Sequence, residues 1–132
     1  MSNPHITVAI ILLIVGNLKS ILSKYRDKIT GDVIRVLSLG MGKLWLSELV
    51  LEINAFRRSL GFEEVDEEDV KNSIRVLEAD GIITSESRLR SQLFGESVMD
   101  ILISLVDYPS IVNELKNDER YNAYISKYRS LT

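Results

Sequence analysis

The sequence predicts a mainly helical α+β fold that includes one small β-hairpin, and three observations support this prediction. Two successive amphipathic patterns with apolar residues at helical spacing occupy the middle of the chain. A β-branched pair and an alternating segment follow them directly, as expected of two strands joined by a turn. The length of 132 residues suits a single domain, 1–132.

The first predicted element is a long N-terminal helix over residues 5–28. Its apolar stretch, Ile6–Val15, has ten residues without a preceding basic residue, so it is too short for a membrane span of about 20 residues and unlike a secretory signal. A helix that is apolar on nearly all sides must be covered on several sides. Either the C-terminal helices of the same chain cover it, or a second copy does, and we expect a homodimer. The candidate interface residues are Ile6, Val8, Ile10, Leu13 and Ile14.

A second helix is predicted from Asp32 to Leu39, with Thr30 as its N-cap. The glycines that follow it, Gly40 and Gly42, predict a loop. This segment is not a phosphate-binding loop, because it lacks the first glycine and the hydroxyl residue of that motif. A short strand, Leu44–Leu46, comes next.

Two central helices are predicted from their ends and their apolar stripes. The first begins near Ser47 and ends at Gly61, and the second begins at the favourable N-cap Asp66 and ends at Gly81. Each stripe recurs at helical spacing: Leu49, Ile53, Phe56 and Leu60 in the first helix, and Val70, Ile74 and Leu77 in the second.

A hairpin is predicted after these helices. The β-branched Ile82 and Ile83 begin its first strand, Glu86 and Ser87 form its turn, and the alternating segment Arg88–Leu93 returns.

The C-terminal part is predicted to be helical, over residues 96–130. The segment Glu96–Val106 is apolar on more than one face, Pro109 suits the first turn of a following helix, and Asp118 can cap a last one.

Near the end, three tyrosines share a helix face between basic residues, so they can either stack on bases or pack against the core. We favour packing, because helical spacing predicts it without further assumption. The tyrosines are Tyr121, Tyr124 and Tyr128.

The central segment resembles the winged helix-turn-helix superfamily over residues 30–94, with residues 5–28 and 96–130 as additional helices. Such domains often end their third helix with a leucine, a charged residue, a glycine and an aliphatic residue. The matching residues here are Leu77, Glu78, Gly81, Ile82 and Ile83. The turn Gly61–Val65 is longer than in the tightest members and carries two glutamates.

The resemblance implies a DNA-binding transcriptional regulator whose partner is double-stranded DNA. In such domains the second helix of the motif lies in the major groove, and its outward side chains read base edges. By this resemblance the readout residues are Lys71, Asn72 and Arg75, and the backbone contacts come from Arg88 and Arg90 in the wing and from Arg57 and Arg58.

Local charge favours a second interpretation, in which the fold is a protein–protein interaction module or a subunit of a larger transcription or replication assembly. Residues 61–81 contain eight acidic residues and only two basic ones. Glu67 and Glu68 stand at the end of the helix that normally approaches DNA, where phosphate repels them. These acids would then bind a protein partner.

The composition argues against an enzyme and against a cofactor or metal site. The chain has no cysteine and one histidine, His5, so the common nucleophile–base pairs and cysteine-ligated metal centres are unavailable. The acidic run Glu63–Asp69 lacks the spacing of a calcium-binding loop. The 45% hydrophobic and 27% charged content are typical of a soluble globular protein. Because the sequence lacks a recognisable targeting signal and cysteine, we expect a cytoplasmic protein without a membrane partner.

Overall fold

The computed structural model describes the chain from residue 22 to residue 130. Most of the predicted N-terminal helix therefore lies outside the described residues, although residues 22–25 are helical. The candidate dimer-interface residues also lie outside them, and the homodimer stays a prediction. The candidate interface residues are Ile6, Val8, Ile10, Leu13 and Ile14.

Five further helices and three strands make up the described part, which confirms the predicted mainly helical α+β class. The strands form one antiparallel sheet in the order β1-β3-β2. In chain order the elements are α1 (Ile29–Leu39), β1 (Lys43–Trp45), α2 (Leu46–Ser59), α3 (Glu67–Ala79), β2 (Ile83–Arg90), β3 (Val98–Leu105), α4 (Tyr108–Leu115) and α5 (Glu119–Ser130). A helix pair followed by an antiparallel hairpin is compatible with a winged helix.

The apolar stripes of α2 and α3 form the centre of the core, as predicted. All of their members are buried except Leu60, which is partly buried against the same cluster. The N-cap of α3 is also confirmed, because the Asp66 side chain accepts a hydrogen bond from the backbone N–H of Asp69 at 2.8 Å. The sequence therefore places the helix pair and its buried faces correctly.

The predicted start of α1 is wrong. The helix begins at Ile29, Lys28 is its N-cap without a side-chain hydrogen bond, and Thr30 is buried inside the first turn. The first turn of α1 packs against the preceding segment so closely that a Cβ added at Gly31 would lie 2.1 Å from the carbonyl oxygen of Tyr25. Thr30 therefore lies inside the helix, in a first turn that packs against Tyr25, and does not cap it.

The predicted hairpin turn and the helix after it are also wrong. Glu86 and Ser87 lie within β2, opposite Leu102 and Ile101, and the segment predicted as the helix Glu96–Val106 contains β3. The returning strand is therefore not Arg88–Leu93. Apolar residues alternate onto both faces of β3, with Val98 and Leu102 on one face and Met99, Ile101, Ile103 and Leu105 on the other, and such a run is hard to distinguish from a buried helix by pattern alone.

The remaining boundaries agree with the sequence. β1 begins and ends one residue earlier than the predicted strand, and its Leu44 pairs with Ile103 of β3. Pro109 lies in the first turn of α4, as predicted. Asp118 accepts a hydrogen bond from the backbone N–H of Tyr121 at 2.8 Å, as a cap of α5 should. Within residues 22–130, none of the helices is both long enough and apolar enough to cross a membrane.

Candidate nucleic-acid interface

The outward face of α3 brings together the three residues that the sequence assigned to base readout. Because Val70, Ile74 and Leu77 fix the opposite face in the core, this face is held in a defined orientation. Asn72 and Arg75 are exposed, and Arg75 donates a hydrogen bond to the side-chain oxygen of Asn72. Lys71 lies one turn before Arg75 on the same helix, with its side chain 40% exposed.

Each basic side chain of α3 also has an acidic neighbour on the same helix. Lys71 Nζ lies 3.7 Å from Glu67 Oε1, and Arg75 Nη1 lies 3.6 Å from Glu68 Oε1. All four side chains are well exposed, and exposed pairs of this kind contribute at most about 1 kcal/mol. The pairs are therefore weak enough to be exchanged for contacts with a ligand.

The N-terminal turn of α3 is strongly acidic. Glu67, Glu68 and Asp69 follow the capping Asp66, and all four residues are exposed. Their charges are favourable next to the positive end of the helix. They also oppose the approach of a phosphate backbone to this end of α3.

The two arginines of β2 have different environments. Arg88 is exposed and bonds to Glu86 at 2.8 Å, and this hydrogen bond and the charge of Glu86 raise the pKa of Arg88. Arg90 is half-buried, with its guanidinium group 5.6 Å from the centre of the Trp45 ring. It therefore packs against the body of the protein, whereas Arg88 faces solvent.

Arg90 links the end of β2 to the beginning of α2. Its guanidinium group donates to Glu48 Oε1 at 2.5 Å and to Asp100 Oδ2 at 3.3 Å. Asp100 also accepts a hydrogen bond of 2.6 Å from the Ser47 hydroxyl. Burial alone would raise the pKa of Asp100, but the hydrogen bonds from Ser47, the Ile101 backbone and Arg90 lower it.

Arg57 and Arg58, adjacent in sequence, also differ. Arg58 is exposed and paired with Glu64. Arg57 points inward, with its side chain only 13% exposed, and donates to Asp32 Oδ2 at 2.6 Å and to the Glu63 carbonyl oxygen at 2.7 Å. The structure therefore commits Arg57 to an internal network and leaves Arg58 at the surface.

That internal network was not predicted from the sequence. Asp32 is fully buried and accepts hydrogen bonds from three arginines: Arg35 at 2.7 Å, Arg57 at 2.6 Å and Arg120 at 3.1 Å. Arg35 also bonds to Asp118 at 2.7 Å. The one signal in the sequence was the placement of Asp32 and Arg35 within an otherwise apolar helix.

The paired charges of the network stabilise one another. Burial alone would lower the pKa of Arg35, but the hydrogen bond and charge of Asp118, together with Asp32, raise it. Burial alone would raise the pKa of Asp118, but the hydrogen bonds from Arg35 and from the Tyr121 backbone lower it. Both groups are therefore held in their charged forms.

Of the C-terminal tyrosines, Tyr124 packs against the core, as the favoured interpretation predicted, whereas Tyr128 contacts Tyr124 and is itself exposed. The Tyr124 ring lies 4.9 Å from the Phe56 ring and 4.6 Å from the Tyr128 ring, measured between centroids. Burial and the hydrogen bond to the Tyr128 hydroxyl raise the pKa of Tyr124. These contacts attach α5 to α2.

Among residues 22–130, no group of histidine, aspartate or glutamate side chains has a geometry that could hold a metal ion.

No protein-family model matches this chain, and no curated protein matches it. Among solved structures, the chain is similar to the organohalide-sensing transcriptional regulator RdhR, in a crystal structure of its 2,4-dichlorophenol-bound form. The two chains share 12% sequence identity with a TM-score of 0.46, over 98% of this chain and 70% of that one. Because a similarity at this level identifies neither a family nor a ligand, we infer the function from the residues themselves.

Proposed function

We propose that this chain is a non-enzymatic winged-helix protein that binds double-stranded DNA as a homodimer and regulates transcription in the cytoplasm. The observation that carries the proposal is the outward face of α3. It presents Lys71, Asn72 and Arg75 on a helix whose opposite face is anchored in the core. An antiparallel hairpin with the exposed Arg88 follows that helix.

The chemistry of these side chains suits base edges and phosphate. Arginine pairs well with guanine and asparagine with adenine, so Arg75 and Asn72 can read bases once they exchange their mutual hydrogen bond. Lys71 and Arg88 supply exposed cations for the backbone. In this scheme Arg57 and Arg90 stabilise the fold and do not contact DNA, since Arg57 bonds to Asp32 and Arg90 joins the wing to α2.

The acidic start of α3 favours a second candidate function, a protein-interaction module. Glu67, Glu68 and Asp69 are exposed together, and each cation on the outward face already has a carboxylate neighbour. A basic surface on a protein partner would meet this end of the helix without repulsion. In this alternative α3 binds protein instead of DNA.

Fluorescence anisotropy with mixed-sequence duplex DNA tests the proposal directly. Contacts to phosphate release counterions, so binding should weaken steeply between about 50 and 200 mM salt. The absence of binding at about 50 mM salt, with tens of micromolar protein, would favour the interaction module. Light scattering on the same samples at micromolar concentration tests the dimer, and a monomer there contradicts it.

A further inference from the structure

The turn between α2 and α3, residues 60–66, is built from contacts that reach beyond the two helices. On the α2 side, the Asn54 side chain donates to the Val65 carbonyl oxygen at 2.9 Å and accepts from the Val65 N–H at 2.8 Å. Arg57 donates to the Glu63 carbonyl oxygen at 2.7 Å. The long turn therefore has a defined shape, although it is longer than a tight helix-turn-helix connection.

The C-terminal helix holds the same turn through Arg120. The guanidinium carbon of Arg120 lies 4.0 Å from the centroid of the Phe62 ring, in the middle of the turn. Such a stacked cation–π contact is attractive and depends on the planarity of the guanidinium group.

Arg120 reaches the turn by a second, indirect route. Its Nη1 bonds to Asp32, whose carboxylate also accepts from Arg57, and Arg57 in turn bonds to the Glu63 carbonyl oxygen. Asp32 is fully buried, and the Arg57 and Arg120 side chains are only 13% and 16% exposed. Because solvent screens these contacts little, this second route also links Arg120 firmly to the turn.

We propose that Arg120 is a positioning residue, through which α5 fixes the turn and therefore the orientation in which α3 meets its ligand. This inference deepens the proposed DNA-binding function and depends on it for the identity of the ligand. The mechanical part, the control of the turn by α5, does not require DNA. The two parts can therefore be tested separately.

Hydrogen exchange on the Arg120→Ala variant tests the mechanical part. The N–H of Phe62 donates to the Arg57 carbonyl at 2.8 Å and the N–H of Val65 donates to Asn54, so both report on the turn. We expect their exchange to accelerate about tenfold while the amides of β3 are unchanged. Lys116→Ala, which removes an exposed cation just before α5, serves as the control and should leave both amides unchanged. Unchanged exchange in the turn, or equal acceleration throughout the protein, overturns the proposal.

Phe62 supplies a second pair of variants that leaves Asp32 and its arginine partners unsubstituted. Phe62→Leu removes the ring that Arg120 contacts at 4.0 Å and Arg57 at 5.5 Å and keeps an apolar side chain, whereas Phe62→Tyr retains the ring. We expect Phe62→Leu to accelerate exchange at Val65 and Phe62→Tyr to behave like the original protein. Identical behaviour of the two variants would contradict the role of the stacked pair, even if Arg120→Ala fails to fold.

DNA affinity tests the functional part. If the turn loosens in the Arg120→Ala variant, the affinity of this variant for duplex DNA should fall about tenfold, although Arg120 itself touches no base. Unchanged affinity with a loosened turn overturns the positioning role for DNA. If the original protein binds no DNA at all, the proposed function fails, and the exchange measurements alone decide whether Arg120 controls the turn.

Discussion

Arg57 and Asp32 form a 2.6 Å ion pair that joins α2 to α1 inside the protein. The sequence placed Arg57 beside Arg58 in the last turn of a helix, where both looked equally available to phosphate. In the structure, Arg57 bonds to the buried Asp32, 25 residues earlier, whereas Arg58 pairs with the exposed Glu64. The structure thus separates a stabilising arginine from a surface arginine at adjacent positions.

We expect Arg57→Ala and Arg58→Ala to differ clearly in stability. Loss of Arg57 removes one of the three arginines that bond to the buried Asp32 carboxylate, and a hydrogen bond of this charged kind typically contributes about 2 kcal/mol to the free energy of unfolding. Loss of Arg58 breaks an exposed pair with Glu64 and should cost less than about 1 kcal/mol. Urea denaturation of the two variants provides the measurement, and equal midpoints would contradict the structural role of Arg57.

The pair between Asp118 and Arg35 predicts a pH dependence of stability. Because the pKa of Asp118 is lower in the folded protein than in the unfolded chain, the carboxylate contributes stability above its unfolded pKa of about 4. This contribution is lost as the pH falls through the lower folded value. We expect the stability difference between the original protein and Asp118→Asn to be largest near pH 7 and to shrink below about pH 4.

Urea unfolding at a series of pH values tests this expectation. Asp27→Asn, a change at an exposed carboxylate in the same part of the protein, provides the control. A residual dependence should persist in Asp118→Asn, since the pKa of Asp100 is lowered in the same way. A stability difference that stays constant from pH 7 to the acid range would argue against the pairing.

On the outward face of α3, the double substitution Lys71→Ala with Arg75→Ala should reduce affinity for a specific DNA site. Loss of one base contact typically costs about 1–3 kcal/mol, so we expect a reduction of at least about tenfold. A control with Lys28→Ala and Lys116→Ala removes the same charge from exposed positions outside α3 and the wing. Anisotropy titrations that give the same affinity for both double variants would rule out readout by this face.

Charge reversal at the start of α3 separates the two candidate functions. If Glu67 and Glu68 only repel phosphate, then Glu67→Lys with Glu68→Lys should strengthen DNA binding, most of all at low salt. If they bind a basic protein partner, the reversal should abolish that complex. The DNA proposal is contradicted if the reversed protein binds DNA no better than the original in a salt titration. Circular dichroism checks that α3 remains folded.

The sequence predicts local features well and tertiary features poorly. The cap of α3 at Asp66 and the buried stripe through Val70 and Leu77 depend on residues within a few positions, and the structure confirms them. The start of α1 depends on the packing of its first turn, where Gly31 lies against Tyr25. The strand β3 depends on distant partners, because it pairs with β1 and β2.

The candidate site shows the same division. The grouping of Lys71, Asn72 and Arg75 follows from helical spacing alone. The inward direction of Arg57 and the anchoring of Arg90 need Asp32, Glu48 and Asp100, which the fold brings from other elements.

The central position of β3 also determines when the sheet can form during synthesis. Lys43 pairs with Ser104, and Ile83 pairs with Leu105, so both outer strands depend on a strand made after them. While the ribosome is still adding residues 91–105, the helices α1 to α3 and the strands β1 and β2 have all been made, but the two strands still lack their pairing partner. Chains released before β3 is complete therefore expose unpaired backbone, and nascent protein of this length should be the form most prone to aggregation and to capture by chaperones.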